Sequence, residues 1–113
     1  MTPRSLGATD AEAGAVFGAL ADGTRRRLWQ AVSDHGPVTA TALAADLPIT
    51  RQAVTKHLRV LGDAGLVRAD RVGRETRYVA ERDPLRAAAE WIADADAAWG
   101  ARLDRLKARA ERR

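Results

Sequence analysis

The sequence between residues 50 and 67 reads TRQAVTKHLRVLGDAGLV. At the helical spacing of about 100° per residue, this stretch separates into an apolar half and a polar half. The apolar half contains Ala53, Val54, His57, Leu58, Val60 and Leu61, and the polar half contains Arg51, Gln52, Thr55, Lys56 and Arg59. An ordinary solvated helix face mixes acids with bases, whereas this polar half has no acid. The pattern therefore predicts a helix that packs through one face and binds an anion, such as DNA, through the other.

Signals on both sides place this helix in a larger unit. Thr50 is a favourable N-cap, and Gly62 ends the helix before an apolar run. Upstream, Thr39 is predicted to cap a short helix over residues 40–47, which a tight turn beginning at Pro48 connects to the next helix. A short helix, a tight turn and a helix with one cationic face form a helix-turn-helix, in which the second helix enters the major groove.

Two short strands are predicted next, over residues 66–72 and 75–80, and Gly73 joins them as a β-hairpin. Arginines recur along the hairpin, at positions 68, 71, 74 and 77. Four arginines are more than an edge strand needs to resist aggregation. We therefore predict that the hairpin contacts the DNA backbone or minor groove. Edge protection alone stays open as the alternative.

Charge is concentrated in this part of the chain. The net charge of the protein is +4, and residues 48–82 carry eight Lys or Arg against four acids, while the remaining residues are balanced. A basic segment in an otherwise neutral protein is typical of nucleic-acid binding. The predicted DNA-binding residues are Thr39, Thr50, Arg51, Gln52, Thr55, Lys56, Arg59, Arg71, Arg74 and Arg77.

The N-terminal part of the chain predicts two helices. Residues 1–8 have no periodicity and are expected to form a disordered lead to a single domain over residues 9–113. A capping box begins at Thr9 and predicts a short helix with one apolar stripe. Asp22 is placed to cap a second helix, whose first turns contain Arg25 to Arg27. Cations at this end oppose the helix dipole. Two interpretations of these arginines remain open. They pair with acids or phosphates, or they form a solvated face.

The last helix is expected to begin with Asp83 as N-cap and Pro84 in its first turn, and to run for about 27 residues. Its apolar positions recur at steps of three and four up to Trp99, and the pattern restarts after Gly100, which interrupts a regular coiled coil. One copy of so small a domain cannot cover such a stripe, so we predict a dimer held by the first and last helices. The predicted dimer-interface residues are Val16, Phe17, Leu20, Leu85, Ile92, Trp99, Leu103 and Leu106.

Other classes of function are disfavoured by what the sequence lacks. There is no cysteine, and the histidines are His35 in a loop and His57 on the packed side of the reading helix, so no metal ligand set is predicted. The two serines, Ser5 and Ser33, have no partners for nucleophilic catalysis, and no enzyme activity or cofactor is predicted. No apolar run is long enough to span a membrane, which predicts a cytoplasmic protein.

Taken together, these motifs resemble the ArsR-type winged helix-turn-helix repressors. The resemblance is carried by Leu20 to Leu28 (LADGTRRRL), Thr39 to Leu47, Thr50 to Leu61, Gly65-Leu66-Val67, and Gly73-Arg74 with Tyr78. It implies a homodimer with the first and last helices at the interface. It also implies that binding of the dimer to an operator represses transcription, and that a signal releases the protein from the DNA. Two departures from the family pattern stand out. Gly23 replaces the usual proline, and the cysteines and His-rich sets that sense metals are missing.

The predicted fold is therefore mainly α with a small β-hairpin, a winged helix-turn-helix of order ααααββα. The predicted function is sequence-specific binding of an inverted-repeat operator by a homodimer. A winged-helix module for protein–protein contact is the alternative, although the polar face of residues 51–59 offers no aromatic or aliphatic anchor. RNA is disfavoured because its deep, narrow major groove does not admit a helix. An effector, either a small molecule beside Trp29, Trp91 or Trp99 or a partner protein, stays open.

Overall fold

The computed structural model describes residues 6–112 of the chain, with side chains from residue 10 onward. Its elements follow the predicted order, and the fold class is confirmed. They are α1 (Leu6–Leu20), α2 (Gly23–His35), α3 (Ala40–Asp46), α4 (Arg51–Asp63), β1 (Val67–Val72), β2 (Glu75–Ala80) and α5 (Asp83–Glu111). Most of the predicted disordered lead, residues 1–5, lies outside the described residues.

Three helices begin at the caps that the sequence predicts. The Thr50 hydroxyl oxygen accepts the Ala53 N–H at 3.1 Å, and the Thr39 hydroxyl oxygen accepts the Ala42 N–H at 3.1 Å. The Asp22 carboxylate accepts the N–H groups of Thr24 and Arg25 at 2.8 and 3.1 Å. The bond from the Arg25 N–H holds the pKa of Asp22 below its usual 3.8. This cap therefore stabilises the folded state above pH 3.8, and the contribution is lost as pH falls through the lowered pKa.

Two helix starts differ from the prediction. Helix α1 begins at Leu6, so the capping box at Thr9 is not its start. Helix α5 begins with Asp83 inside it, and Arg82 occupies the N-cap position without a capping hydrogen bond from its side chain. The start of α5 is shifted by one residue, within the usual variation of an assigned helix end, whereas the start of α1 is shifted by four residues.

Two of the three arginines at the start of α2, Arg25 and Arg26, bind backbone carbonyls, an arrangement that the sequence did not predict. The Arg25 Nε donates to the Ala19 carbonyl at 2.6 Å and its Nη2 to the Gly18 carbonyl at 3.2 Å, while the Arg26 Nη1 donates to the Leu20 carbonyl at 2.6 Å. These carbonyls belong to the last turn of α1, where the helix has no further N–H groups to offer them, although that of Gly18 also accepts the Ala21 N–H at 3.3 Å. The two cations therefore stabilise the negative end of the preceding helix, rather than pairing with acids.

The core lies between α1, α2, α3 and α4 and the base of the hairpin. Helix α4 contributes Val54, Leu58 and Leu61, all essentially inaccessible to solvent. Around them pack the buried side chains of the other elements, which are Val16, Ala19, Leu28, Val32, Ala40, Leu43, Leu66, Val67 and Ala88. The apolar half predicted for α4 is thus the packed face, with His57, Ala53 and Val60 half-buried at its edges. The core fixes which side of α4 faces outward.

The hairpin is anchored to the helices by contacts that join distant parts of the sequence. Tyr78 of β2 exchanges two backbone hydrogen bonds with Val38, in the loop between α2 and α3, at 3.1 and 2.8 Å. The indole N–H of Trp29 donates to the Leu66 carbonyl at 2.8 Å, just before β1. Gly73 takes a φ of +63° at the hairpin turn, which suits glycine. These contacts hold the hairpin at a set angle to α4.

Adding a single methyl group at Gly36 should destabilise the folded state. A Cβ built there would lie 2.6 Å from the Val32 carbonyl oxygen and 3.2 Å from that of Tyr78, both backbone atoms. We expect Gly36→Ala to lower the free energy of unfolding by about 1–3 kcal/mol, measured by urea denaturation. Gly14→Ala is the matched control, because nothing lies within 4 Å of its added Cβ in α1. It should raise stability by about 1 kcal/mol. Equal effects of the two variants would contradict this assignment.

Helix α5 extends for 29 residues, about 43 Å at the usual rise, and only its first part packs on the rest of the chain. Ala88 is buried, whereas Ile92, Trp99, Leu103 and Leu106 are 45–56% exposed. Among the described helices, none combines the length and hydrophobicity needed to cross a bilayer.

Candidate nucleic-acid interface

The polar face of α4 is exposed along its whole length. Arg51, Gln52, Thr55, Lys56 and Arg59 are all accessible to solvent, on the side opposite to the core residues. Because Thr50 caps the helix, the face begins at a defined point next to free backbone N–H groups. Such a helix end favours phosphate binding. The arrangement presents three cations and two neutral hydrogen-bonding side chains to any ligand that approaches from this side.

The hydroxyl groups of Thr39, Thr50 and Thr55 differ in the hydrogen bonds that they can still form with a ligand. The hydroxyl oxygens of Thr39 and Thr50 accept capping bonds, which leaves their O–H free to donate to a phosphate oxygen. The Thr55 hydroxyl donates to the Arg51 carbonyl at 3.0 Å, so it can only accept from a ligand. An acceptor at this place suits a base amino group rather than a phosphate.

A groove of about 580 Å³ lies between the starts of α3 and α4 and the hairpin. Five of the predicted DNA-binding residues line it, namely Thr39, Arg51, Thr55, Arg71 and Arg74. The structure therefore brings together side chains from three elements that are far apart in sequence. Thr41 and Thr76 line the same groove and were not predicted. Strand pairing could have identified Thr76, because it lies opposite Arg71.

The hairpin separates its four arginines. Side chains alternate between the faces of a strand, and the register pairs Arg71 with Thr76 and Asp70 with Arg77. Arg71 therefore shares the groove side with Thr76, and Arg74 joins them at the turn. Arg77 points to the opposite side and forms an ion pair with Glu75 at 3.1 Å. The structure therefore does not bring Arg77 together with the predicted DNA-binding residues of the groove, because the two-residue alternation turns its side chain away.

Arg68 also lies on the far side of the hairpin, in an ion-pair network. It contacts Asp70 at 3.0 Å and pairs with Glu81 at the end of β2. The hydrogen bond from Arg68 lowers the pKa of Asp70, and the same bond raises the pKa of Arg68. Arg68 and Arg77 are thus both paired with nearby acids of the hairpin region.

Arg59 and Lys56 lie further along α4 than the groove. Arg59 lines a second, shallower depression between α4 and β1, beside Asp63, Val67 and Ala69. Gln52 lies with Arg51 and Thr55 around a small depression on the outer surface of α4. The predicted polar face is thus continuous from the groove to the second depression.

The predicted dimer-interface residues fall into three groups. Val16 is 1% exposed and belongs to the core of its own chain, so it is not available to a partner and its predicted place at the interface is wrong. Leu20 and Leu85 are half-buried against the same core. Phe17, Ile92, Trp99, Leu103 and Leu106 are exposed. The stripe on α1 turns inward because Ala13, Val16 and Ala19, rather than Phe17, face the core.

Two of the three tryptophans, Trp29 and Trp91, contact other elements of the fold. Trp29 donates to the Leu66 carbonyl, as described above. Trp91 donates to the Asp10 carboxylate at 3.0 Å and packs edge-on against Phe17 with ring centroids 5.7 Å apart, which joins α5 to α1. Trp99 is 56% exposed, with the Arg102 guanidinium 5.9 Å from its ring centroid. Within the described part of the chain, no three His, Asp or Glu side chains converge as metal ligands.

The chain is similar to helix-turn-helix proteins that are transcriptional regulators. Residues 20–69 match the model of a helix-turn-helix domain. The HTH-type transcriptional regulator YuzN of Bacillus subtilis is 41% identical over 78 residues, which are 64% of this chain and 85% of that protein. An ArsR-like transcriptional regulator from Rhodococcus sp. RHA1 superposes with a TM-score of 0.80 at 39% identity, covering 88% of this chain and 93% of the other.

A further solved structure is the homodimeric winged helix-turn-helix DNA-binding domain of Mb0332 from Mycobacterium bovis. It superposes with a TM-score of 0.66 at 25% identity, and the match covers 85% of this chain and 89% of that one.

Proposed function

Because this chain belongs to the ArsR family of helix-turn-helix transcriptional regulators, we propose that it is a homodimeric repressor that binds an inverted-repeat operator through α4. The observation that carries the proposal is the exposed, acid-free face of α4, which adjoins a groove lined by two further arginines, Arg71 and Arg74, and one acid, Glu75. A helix of this width fits the major groove of B-form DNA. No catalytic step belongs to the proposal.

The residues of α4 divide by what they can recognise. Gln52 can bond adenine through its amide in bidentate fashion, and Arg51 or Lys56 can bond the O6 and N7 of guanine. Thr55 accepts from a base amino group, since its own hydrogen is used within the helix. Thr39 and Thr50 are assigned to phosphates through their free hydroxyl hydrogens. Arg59, Arg71 and Arg74 are assigned to the phosphate backbone and set the orientation of α4 in the groove.

Dimerisation follows from apolar surface that one chain leaves open. Phe17, Ile92, Trp99, Leu103 and Leu106 are exposed on α1 and α5. Burying a large apolar side chain is favourable by about 1.5–3 kcal/mol, so several from each chain can exceed the cost of association. Mb0332, which is homodimeric, supports a homodimer here. A two-fold pair would present two α4 helices at centres roughly 34 Å apart, one helical turn of DNA.

Repression follows if the occupied operator overlaps a promoter, and release requires an effector or a fall in protein level. A small molecule or a partner protein can serve as effector. A cytoplasmic location, with access to the chromosome, is part of the proposal.

Selection of genomic DNA fragments by the purified full-length protein tests the proposal. We expect the bound fragments to share an inverted repeat with half-sites about one helical turn apart, located next to transcription start sites. Fragments without a shared motif, bound no better than random duplex DNA, would contradict it.

Arg74 and Arg77 form a matched pair for the role of the hairpin. Arg74 lines the groove, whereas Arg77 does not line it and is paired with Glu75. We expect Arg74→Ala to weaken binding to all DNA sequences alike and to reduce the slope of log affinity against log salt by about one unit. Arg77→Ala should leave that slope unchanged. Equal slopes for the two variants, measured by fluorescence anisotropy, would remove the hairpin turn from the interface.

A further inference from the structure

The second depression, between α4 and the hairpin face that carries Ala69 and Tyr78, is separate from the groove but shares two of its walls. Thr55 and Tyr78 line both, whereas Arg71 and Arg74 line only the groove. The second depression has a volume of about 290 Å³, just below the range of sites for drug-sized ligands. A site of this size suits a ligand as small as an amino acid.

Two opposite charges stand at the second depression, one helical turn apart on α4. Arg59 and Asp63 both line it, and both are exposed. Within the described part of the chain, neither side chain forms an ion pair or a hydrogen bond with another residue. A base that precedes an acid by four residues is the less favourable order for pairing along a helix. Both charges are therefore available to a ligand, at a spacing that one small molecule can bridge.

The floor between these two charges is apolar. Leu58 and Val67 are 1% and 7% exposed, and Ala69 lies beside them on β1. Gly62 leaves the space above this floor open, because it has no side chain. A Cβ on Gly62 would lie 3.8 Å from Val67, which is ordinary van der Waals contact, so packing does not require glycine here. Glycine is less favourable than alanine inside a helix. The open depression is thus kept at the expense of helix stability.

Charge and shape together select the class of ligand. A zwitterion can bond Arg59 through its carboxylate and Asp63 through its ammonium group. An anion alone would face the repulsion of Asp63, and a cation alone would face that of Arg59. An apolar side chain on the same zwitterion can lie over Leu58 and against the Tyr78 ring. These features together describe an α-amino acid with an aliphatic side chain.

We propose that the second depression binds an α-amino acid with an aliphatic side chain of the size of leucine, and that this ligand releases the protein from DNA. The release step rests on the proposed function, in which Arg59 contacts the phosphate backbone. An arginine that holds the carboxylate of the ligand cannot also hold a phosphate. The ligand also lies against Thr55 and Tyr78, the walls shared with the groove. Ligand and DNA therefore compete, and each weakens the binding of the other by the same factor.

Isothermal titration calorimetry of the full chain with L-leucine, in the absence of DNA, tests the site. We expect one L-leucine to bind per chain with a dissociation constant of about 1 mM or tighter. Three analogues each lack one recognised feature, since isocaproate has no ammonium group, isoamylamine has no carboxylate and glycine has no apolar side chain. Each should bind at least about tenfold more weakly. No measurable binding of L-leucine, or equal affinity for any of the analogues, would overturn the proposal.

Two substitutions locate the site on the chain. Gly62→Leu fills the second depression with a side chain whose Cβ has room, so the variant should fold, as thermal unfolding can verify, and should not bind L-leucine. Asp63→Asn should weaken L-leucine binding by at least about tenfold without weakening isocaproate. Asp46→Asn is the matched control, because Asp46 is an exposed acid that does not line the depression, and it should bind L-leucine like the wild type. Unchanged L-leucine binding in Gly62→Leu and Asp63→Asn would place the ligand elsewhere and overturn the proposal.

The effect on DNA separates this inference from the proposed function. The operator recovered by selection is titrated with protein at fixed salt, with and without saturating L-leucine. We expect L-leucine to lower the operator affinity of the wild type by about fivefold or more and to leave that of Gly62→Leu unchanged. If L-leucine binds but does not change the operator affinity of the wild type, the release step is wrong and the proposed repressor stands. If the ligand-free protein selects no operator, the proposed function is refuted, while calorimetry still decides whether the site exists.

Discussion

Changing Arg51, Gln52 and Lys56 to alanine together is expected to lower affinity for the operator by at least about a hundredfold and to bring it near the affinity for unrelated DNA. Each side chain that reads a base contributes about 1–3 kcal/mol of discrimination, and three are removed at once. All three are exposed on α4, away from the core, so the variant should keep its fold. Operator and non-operator affinities are measured by titration at one fixed salt concentration, together with thermal unfolding.

A control with matched charge separates base reading from general electrostatics. Changing Arg27, Gln30 and Arg86 to alanine removes two cations and one glutamine from exposed positions on α2 and α5, outside the groove. This control should retain the preference for operator over unrelated DNA. If both triple variants lose the same affinity, or if the α4 variant keeps full preference for the operator, then α4 does not read the sequence.

The second large effect is expected at the dimer stripe. Ile92→Asp combined with Trp99→Asp should convert the protein to a monomer at micromolar concentration and lower operator affinity by at least about a hundredfold. Both residues are more than half exposed in one chain, so the change should destabilise the dimer rather than the fold of the single chain. A carboxylate buried in an apolar interface costs several kcal/mol when no partner charge faces it. Loss of the second half-site then removes the gain from binding two sites at once.

Sedimentation velocity and operator titration measure both consequences. Ala97→Asp combined with Ala101→Asp is the control, because it adds the same two acids to exposed positions of α5 on the side away from the stripe. We expect the control to remain dimeric. A dimeric stripe variant, or a monomer that binds the operator as tightly as the wild type, would contradict the role given to α5.

Local signals explain why much of the fold could be predicted. Thr39, Thr50 and Asp22 are caps whose partners lie two or three residues away, and the hairpin ends at the predicted residues because Gly73 supplies the turn. The polar face of α4 was equally visible, since helical periodicity fixes which side chains share a face. For such features the sequence contains both partners of the interaction within a few residues.

Contacts between distant segments explain what sequence reasoning missed. Arg25 donates to carbonyls at the end of α1, and nothing in the sequence around α2 marks those acceptors. The bridge between Val38 and Tyr78 joins residues forty positions apart. Val16 turned out to belong to the core because α1 rotates Ala13 and Ala19 inward with it. Arg77 is a different case, since strand alternation alone would have placed it on the far face from Arg71.

The most direct test of the account compares the DNA sequences that wild type and Gln52→Ala select from a pool of random duplexes. We predict that the wild type selects an inverted repeat with half-site centres about one helical turn apart. Gln52→Ala should select the same repeat, with its preference relaxed at one base position in each half-site and unchanged elsewhere. An unaltered consensus for Gln52→Ala, or a wild-type consensus without two-fold symmetry, would contradict the account.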